Sequence, residues 1–332
     1  MLYIVTFNNY FGQHLNVESS LNVEEIKKML IEMSIETEII EVSDLIKSGV
    51  NDNDYYWITS HQNHSIKKYL NDVVLSLFSN KNNNLITSLE LYFAHENKGI
   101  QSLLYDNGKN IKLVKQNYLI NDINIEKRSV FKMIDGAGSS GVYLVNDKKD
   151  INNILKKKKF LDISILSIIK YTKRIAKKIL NKYNQSYDNY QKKQTPYVLQ
   201  MFMDGLKHDY KVLVFWNKVY VLERKVRKND FRASGSGLFN FIEPDDELIR
   251  FCINVREKIK TPFVSLDIIK YKDDNYYCIE YQCTHFGPYT QINSQFFYQV
   301  DAKNKITKHE NNNILEYEYA YSIFNYLKIE KN

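Results

Sequence analysis

Two groups of residues in this chain have types and spacings suited to chemistry. The first is Gly136-Ala137-Gly138-Ser139-Ser140-Gly141, a G-x-G-x-x-G run. In a dinucleotide-binding turn such a run opens a helix whose N-terminus receives a pyrophosphate. Here Val142-Tyr143-Leu144-Val145 follows, and its β-branched and aromatic residues spell a strand. Lys132 stands four residues before the first glycine, and no Gly-Lys-Ser/Thr follows as a Walker loop requires. Strand, lysine, glycine-serine loop and strand describe a hairpin flap. Its backbone N–H groups, freed by glycine to approach closely, would fold over phosphates. The second group is Asp267 within Phe263–Ile269, followed after Asp273-Asp274-Asn275 by Glu280 and Gln282 within Tyr276–Gln282. Residues two apart on a strand share a face, so Glu280 and Gln282 point the same way. A hairpin would bring Asp267 opposite them. Two carboxylates and an amide oxygen so placed would form a hard-oxygen site suited to magnesium bridging phosphates, although spacing alone equally fits ordinary surface carboxylates on two half-exposed strands.

These groups need elements to hold them. Leu2–Phe7 reads as a first strand. Asn22 caps a helix, with Glu25 three residues on and Val23, Ile26, Leu30 and Met33 at helical spacing. Glu38–Val42, Tyr55–Thr59 and Leu85–Thr87 read as strands, and Ile66–Phe78 as a helix. Strands alternating with helices imply a small parallel sheet, in a lobe spanning 1–92. A nucleotide lobe with the flap would occupy 93–205. Residues 206–332 would hold strands, a helix over Asp246–Lys260, the carboxylate hairpin and a last helix near Leu315–Leu327. Within the middle lobe Ile165, Ile168, Ile169, Ile175, Ala176 and Ile179 keep helical spacing with lysines largely opposite. That helix is expected to cover the lobe's sheet, in preference to touching a membrane.

In this order the motifs resemble the ATP-grasp superfamily, over roughly residues 90–290. The resemblance is to carboxylate–amine ligases such as D-alanine–D-alanine ligase and ribosomal-protein glutamate ligase. It implies an α/β fold of α+β lobes, with the small parallel-sheet domain preceding the ATP-grasp core. Asn97-Lys98-Gly99 resembles the first nucleotide lysine at a helix start, and Lys132 the second. Gly136, Gly138, Ser139, Ser140 and Gly141 are similar to the phosphate flap. Tyr197–Gly205, with Gln200, Met201 and Met203, resembles the adenine hinge. Asp209 falls where the ribose-binding acid stands, and Lys211 where a basic residue follows. Arg224 and Phe231–Gly237 resemble the acceptor segment, with Arg232 on the carboxylate and then on the acyl phosphate. Asp267, Glu280 and Gln282 match the metal triad, which implies ATP with magnesium, two ions by family habit, and manganese as a substitute. Gln282 stands where the family usually has Asn, Gln200 where it often has Glu, and Cys283–Pro288 is not the usual small-residue turn.

The chemistry so implied is attack by a carboxylate on the γ-phosphate, then capture of the acyl phosphate by an amine, with Lys132, Glu280 and Arg232 as catalytic residues. The substrates would be a small metabolite or a surface-glycan precursor, anionic or glycan-linked. The alternatives are an ATP-grasp kinase and an ATP-binding module without catalysis, the latter disfavoured by the intact Lys98, Lys132, Asp267 and Glu280.

The chain has 332 residues, 44% hydrophobic and 14% aromatic, enough for several packed lobes. Its three cysteines, Cys252, Cys278 and Cys283, are too sparse for a disulfide framework and fit a cytoplasmic protein. Cys278, Cys283 and His285 lack the second cysteine pair of a structural zinc site and read as packing residues, with Cys278 expected on the same strand face as Glu280. No apolar run is long enough to span a bilayer, and the N-terminus lacks a signal peptide's basic region. The net charge of +7 is uneven: Lys156–Lys193 holds twelve Lys or Arg against two Asp. This is a solvated face, or an attractor for an anionic substrate or membrane. Nucleic-acid motifs are lacking, and a homodimer is compatible with the sequence.

Overall fold

The computed structural model describes residues 1–106, 111–120, 125, 127–134, 141–161, 165–180, 182–191, 194–228, 230–272 and 274–330. The chain divides into two compact units, one of Met1–Val114 with Met203–Asn332, the other of the described residues within 115–202.

The first unit begins with a four-stranded sheet in the order β2-β1-β3-β4, formed by β1 Leu2–Thr6, β2 Thr37–Glu41, β3 Tyr55–Ile58 and β4 Leu85–Ile86. All pairs are parallel. Parallel strands need helical crossovers, and these cover both faces. Asn22 caps α1, Val23–Glu32, by accepting the Glu25 N–H at 3.2 Å. Ile26 and Leu30 then pack against Leu2, Ile4 and the C-terminal helix. On the other face Leu70, Val73, Val74 and Phe78 of α3, His64–Phe78, pack on Val5, Tyr56 and Ile58. Between them the sequence conceals α2, Val42–Ser48, because Val42 continues the apolar run of β2. Two helices, α4 Leu89–Ala94 and α5 Lys98–Asp106, lead out of this sheet.

The second unit holds an antiparallel sheet ordered β5-β8-β6-β7: β5 Gln116–Leu119, β6 Ser129–Met133, β7 Val142–Val145 and β8 Tyr197–Met201. Helix α6, Lys148–Leu161, lays Ile151, Ile154 and Leu155 on Phe131, Val145, Tyr197 and Leu199. The helix α7, Ile165–Ile179, was expected in that covering role. Instead Ile169, Ile175, Ile179 and Leu180 stand exposed, and α6 does the covering. A short α8, Gln185–Tyr190, follows.

The rest of the first unit is a seven-stranded sheet. It comprises β9 His208–Phe215, β10 Lys218–Lys225, β11 Phe239–Asn240, β12 Phe263–Lys270, β13 Tyr276–Gln282, β14 Phe296–Val300 and β15 Ile306–Glu310. Its order is β13-β12-β9-β10-β14-β15, with β11 added beside β10. One face packs on α9, Asp246–Ile259, through Val212, Val214, Val264, Leu266 and Ile268. That helix starts on an Asp245 cap and ends at Lys260 in the left-handed region, φ +54°. The opposite face sends Leu213, Phe215, Tyr220 and Phe263 against Tyr319 of α11, Leu315–Glu330. A short α10, Tyr289–Asn293, lies between β13 and β14. Among the described residues no helix is long and apolar enough to cross a membrane.

Candidate active site

Strand alternation builds the site. In β9, Tyr210, Val212 and Val214 belong to the α9 face, which leaves Asp209, Lys211, Leu213 and Phe215 on the other. Leu213 and Phe215 are covered by α11, whereas Asp209 and Lys211 continue that face as charge. In the neighbouring ladders Lys211 stands opposite Asp267 and Asp209 opposite Arg224. Asp267 stands opposite Glu280, and Ser265 opposite Gln282. Four adjacent strands thus carry Arg224, Asp209, Lys211, Asp267, Glu280 and Gln282 on one face. The expected hairpin over 263–282 is present, and it places Asp267, Glu280 and Gln282 on one sheet face.

One irregularity makes this shared face possible. The register shifts between Asp267 and Ile268, so that Asp267 pairs with Glu280 while Ile268 pairs with Cys278. Ile279 is the extra residue of a β-bulge, and a bulge re-aims the side chains on either side of it. Cys278 therefore enters the α9 core, fully buried. Glu280 turns to the opposite face. The expectation that Cys278 and Glu280 share a face is corrected by this bulge. Cys252 and Cys283 are buried in the same core as Cys278.

The charges are closely matched. Arg224 donates from Nε and one terminal nitrogen to both Asp209 oxygens, at 2.7 and 2.9 Å. The same terminal nitrogen lies 3.1 Å from Asp267 Oδ2. Lys211 Nζ donates to Asp267 Oδ1 at 2.9 Å. Lys98 Nζ is 3.5 Å from Glu280 Oε1. Burial alone would raise the Asp267 carboxyl, but Arg224 and Lys211 outweigh it and hold the group well below the usual carboxylate range. Burial pushes Asp209 up, against the pull of Arg224. Arg224 is itself resistant to deprotonation: burial opposes its charge, and the two aspartates more than compensate.

Lys98 is the first residue of α5, as expected of a lysine at a helix start, and is buried. Asn97 Oδ1 accepts the Ile100 N–H at 3.2 Å, which fixes the first turn that carries the lysine. Arg232 lies in the loop between β10 and β11. It forks onto Asp230 at 2.7–3.1 Å, beside the Phe231 ring. Arg227, which the sequence does not single out, braces that loop by donating to the Ser234 carbonyl at 2.9 Å. Asp209 spends both oxygens on Arg224, so a ribose would have to compete with that fork.

In the second unit Lys132 is buried in β6, opposite Val142 of β7. Met133 N–H donates to the Gly141 carbonyl at 2.9 Å, closing the hairpin whose tip was expected to hold phosphate. Gly136, Gly138, Ser139 and Ser140 lie outside the described residues. Gly141 has φ +74°, and a Cβ there would meet Met133 side-chain atoms at 2.8 Å. A strand, not a helix, follows the glycines, which removes the dinucleotide turn. Gln200 is buried in β8 and donates to Gln116 Oε1 at 2.9 Å. Met201 donates its N–H to the Lys115 carbonyl and leaves its side chain exposed. Met203 is buried in the first unit, against Val114 and Ile269.

Magnesium fits the first unit's residues by donor chemistry. Asp267 and Glu280 face each other across one ladder, with the Gln282 amide on the same face. The buried Ser265 Oγ, on that face too, has no hydrogen-bond partner among the described residues. A cation bound there would compete with Lys211 and Arg224 for Asp267.

No family model matches the chain, and no curated protein matches its sequence. Solved structures do resemble it in fold. D-cycloserine synthetase DcsG aligns over 98% of this chain and 99% of its own, with a TM-score of 0.54 at 9% identity. A Chryseobacterium gregarium RiPP-associated ATP-grasp ligase, solved with ADP and a leader and core peptide, aligns over 99% and 96%. Its TM-score is 0.51 at 12% identity. The chain therefore has the ATP-grasp fold, mixed α/β with an N-terminal parallel sheet.

Proposed function

We propose that this protein is an ATP-dependent carboxylate–amine ligase that forms an amide through an acyl phosphate and releases ADP and phosphate. The observation that carries the proposal is the row of opposed charges on one sheet face, with Asp267 paired to Glu280 and Lys98 closing on Glu280. The members of this row answer the needs of phosphoryl transfer, which are charge neutralisation and alignment. The fold supports the same conclusion.

Lys98 and Lys132 would bind the nucleotide phosphates as compact point charges, and the flap backbone would hold the terminal phosphate. Gln200, Met201 and Met203 would line the adenine, and Asp209 would act at the ribose or through Arg224. Asp267, Glu280 and Gln282 would hold magnesium, two ions or manganese in its place, which supplies charge neutralisation at the γ-phosphate when bound. Arg232, freed from Asp230, would present its planar fork to the substrate carboxylate and then to the acyl phosphate. A carboxylate oxygen attacks the γ-phosphorus and ADP leaves. The amine attacks the acyl carbon, loses a proton, and phosphate leaves. The carboxylate and amine are proposed as small-molecule or glycan-linked compounds.

Incubation with ATP, magnesium, candidate carboxylates and hydroxylamine tests this. The expected products are ADP, phosphate and a hydroxamate. ADP with a stable phosphorylated product and no phosphate would make the protein a kinase. AMP and pyrophosphate would refute both activities. Lys132→Ala should weaken ATP binding about tenfold or more, and Lys177→Ala should leave it unchanged. Equal effects would remove the flap from the nucleotide site.

A further inference from the structure

The chain's excess of positive charge lies in one place. Residues 156–193 hold twelve Lys or Arg against two Asp, so the remaining residues hold thirty-four basic against thirty-seven acidic. Without this segment the protein would be weakly acidic. Within it, α7 has Ile169, Ile175, Ala176 and Ile179 on one side and Lys173, Arg174, Lys177 and Lys178 on the other. Helices α1 and α9 bury their apolar stripes against a sheet. That of α7 does not: Ile169, Ile175 and Ile179 are 43, 42 and 77% exposed, and Leu180 in the next turn is 64% exposed. Among the described residues, α8 and the turn before it meet α7 on its charged side. Arg174 pairs with Asp188 of α8 at 3.1 Å, and Lys178 sits over the Tyr183 ring. Among the described residues these contacts leave the Ile169, Ile175 and Ile179 side chains exposed.

We infer that α7 is a peripheral membrane anchor that lays its isoleucine face into an anionic lipid surface. An aliphatic stripe flanked on both sides by lysines is the pattern of an interfacial helix. The lysine stems can lie along the apolar boundary with their charges at the headgroups. The patch extends beyond the helix: Lys156–Lys159 of α6 are exposed as well, which suits a broad plane of negative charge. Exposed Tyr171, Tyr187 and Tyr190 add rings of the kind that settle at a membrane–water boundary. A nucleic acid would use the lysines but has no use for four aliphatic side chains in a row. An acidic protein would need a preformed apolar groove to match them.

The test is flotation of the full chain with phosphatidylcholine vesicles, with and without phosphatidylserine. The variants are Ile175→Asp with Ile179→Asp, and Lys173→Glu with Lys177→Glu. All four positions are exposed, so melting temperatures should hold and report intact folding. The expected result is binding to phosphatidylserine vesicles only, reduced about tenfold or more by either variant and weakened by salt. Absence of wild-type binding would overturn the inference. So would undiminished binding of the isoleucine variant, which would mean that charge alone attracts the surface. A solution dimer of the wild type that the isoleucine variant converts to monomer would assign the stripe to a second copy and also overturn it.

Discussion

Arg224 holds two aspartates at once, and this decides how the site behaves when empty. Asp209 and Asp267 stand on neighbouring strands of a face that is partly closed to water, where like charges need a cation between them. Arg224 supplies it, and Lys211 adds a second contact to Asp267. Bound magnesium would take over part of that duty. Lys211→Met should therefore destabilise the metal-free protein by about 1–3 kcal/mol, since it strips Asp267 of one partner. The same variant should show a larger rise in melting temperature with added magnesium than the wild type. An equal rise in both would place the ion elsewhere. Glu280→Gln keeps the shape of the side chain but removes its charge from Lys98 and from the metal. It should fold normally and lose about a hundredfold or more in turnover. Gln282→Asn keeps the amide oxygen and should be tolerated. Full activity of Glu280→Gln in a coupled ADP assay would rule this triad out as the metal site.

At the level of elements, period and caps carried most of the message. The strand reading of Phe263–Ile269 placed Asp267 in a hairpin with Glu280 and Gln282, and the Asn22 cap marked the start of α1, whereas the alternation in β9 emerged only with the structure. The antiparallel hairpin around Lys132 followed from β-branched residues after the glycines. Three things escaped. The bulge at Ile279 has no composition signal, because Tyr276–Tyr281 reads as unbroken strand. The start of α2 hides behind Val42, an apolar residue with strong strand propensity. The helical spacing of α7 identifies an apolar face but cannot say whether anything covers it. The flap hairpin offers an element-scale test. Gly141 closes it in the left-handed region, against Met133, where any side chain clashes. Gly141→Ala should cost about 1–2 kcal/mol locally, through the backbone penalty for a Cβ at positive φ. It should raise the Michaelis constant for ATP while leaving unfolding of the first unit unchanged. Unaltered ATP kinetics with normal expression would detach this hairpin from nucleotide binding.

The first unit as a whole is assembled from both ends of the chain, and a pair of buried histidines lies at that seam. His95 follows α4 and His285 follows β13, and their rings are 4.4 Å apart between centroids, both fully buried. Around them Thr87 donates to the Cys283 carbonyl at 3.2 Å and Gln101 to the Tyr281 carbonyl at 2.8 Å, so the seam is also hydrogen-bonded. Neither ring nitrogen of His95 has a partner among the described residues. Burial first, then the nearby charges of Lys67 and His61, push His285 down from 6.5 to about 3. Burial, His285 and Lys67 push His95 down as well. Both imidazoles are thus neutral in the folded protein, whereas the unfolded chain takes up protons below about pH 6.5. A group whose folded pKa is depressed stabilises the fold above its unfolded value and loses that contribution as pH falls. Stability should therefore be constant above about pH 7 and decline from about pH 6.5 downward, before carboxylates begin to titrate. By about pH 5 the His285 contribution alone should fall by about 2 kcal/mol. Urea unfolding midpoints measured from pH 8 to pH 5 check this directly. His285→Gln keeps a neutral polar side chain at the seam and should reduce the pH slope by one proton's worth. A wild type equally stable at pH 7 and pH 5 would mean that the pair is hydrated or protonated in the folded protein.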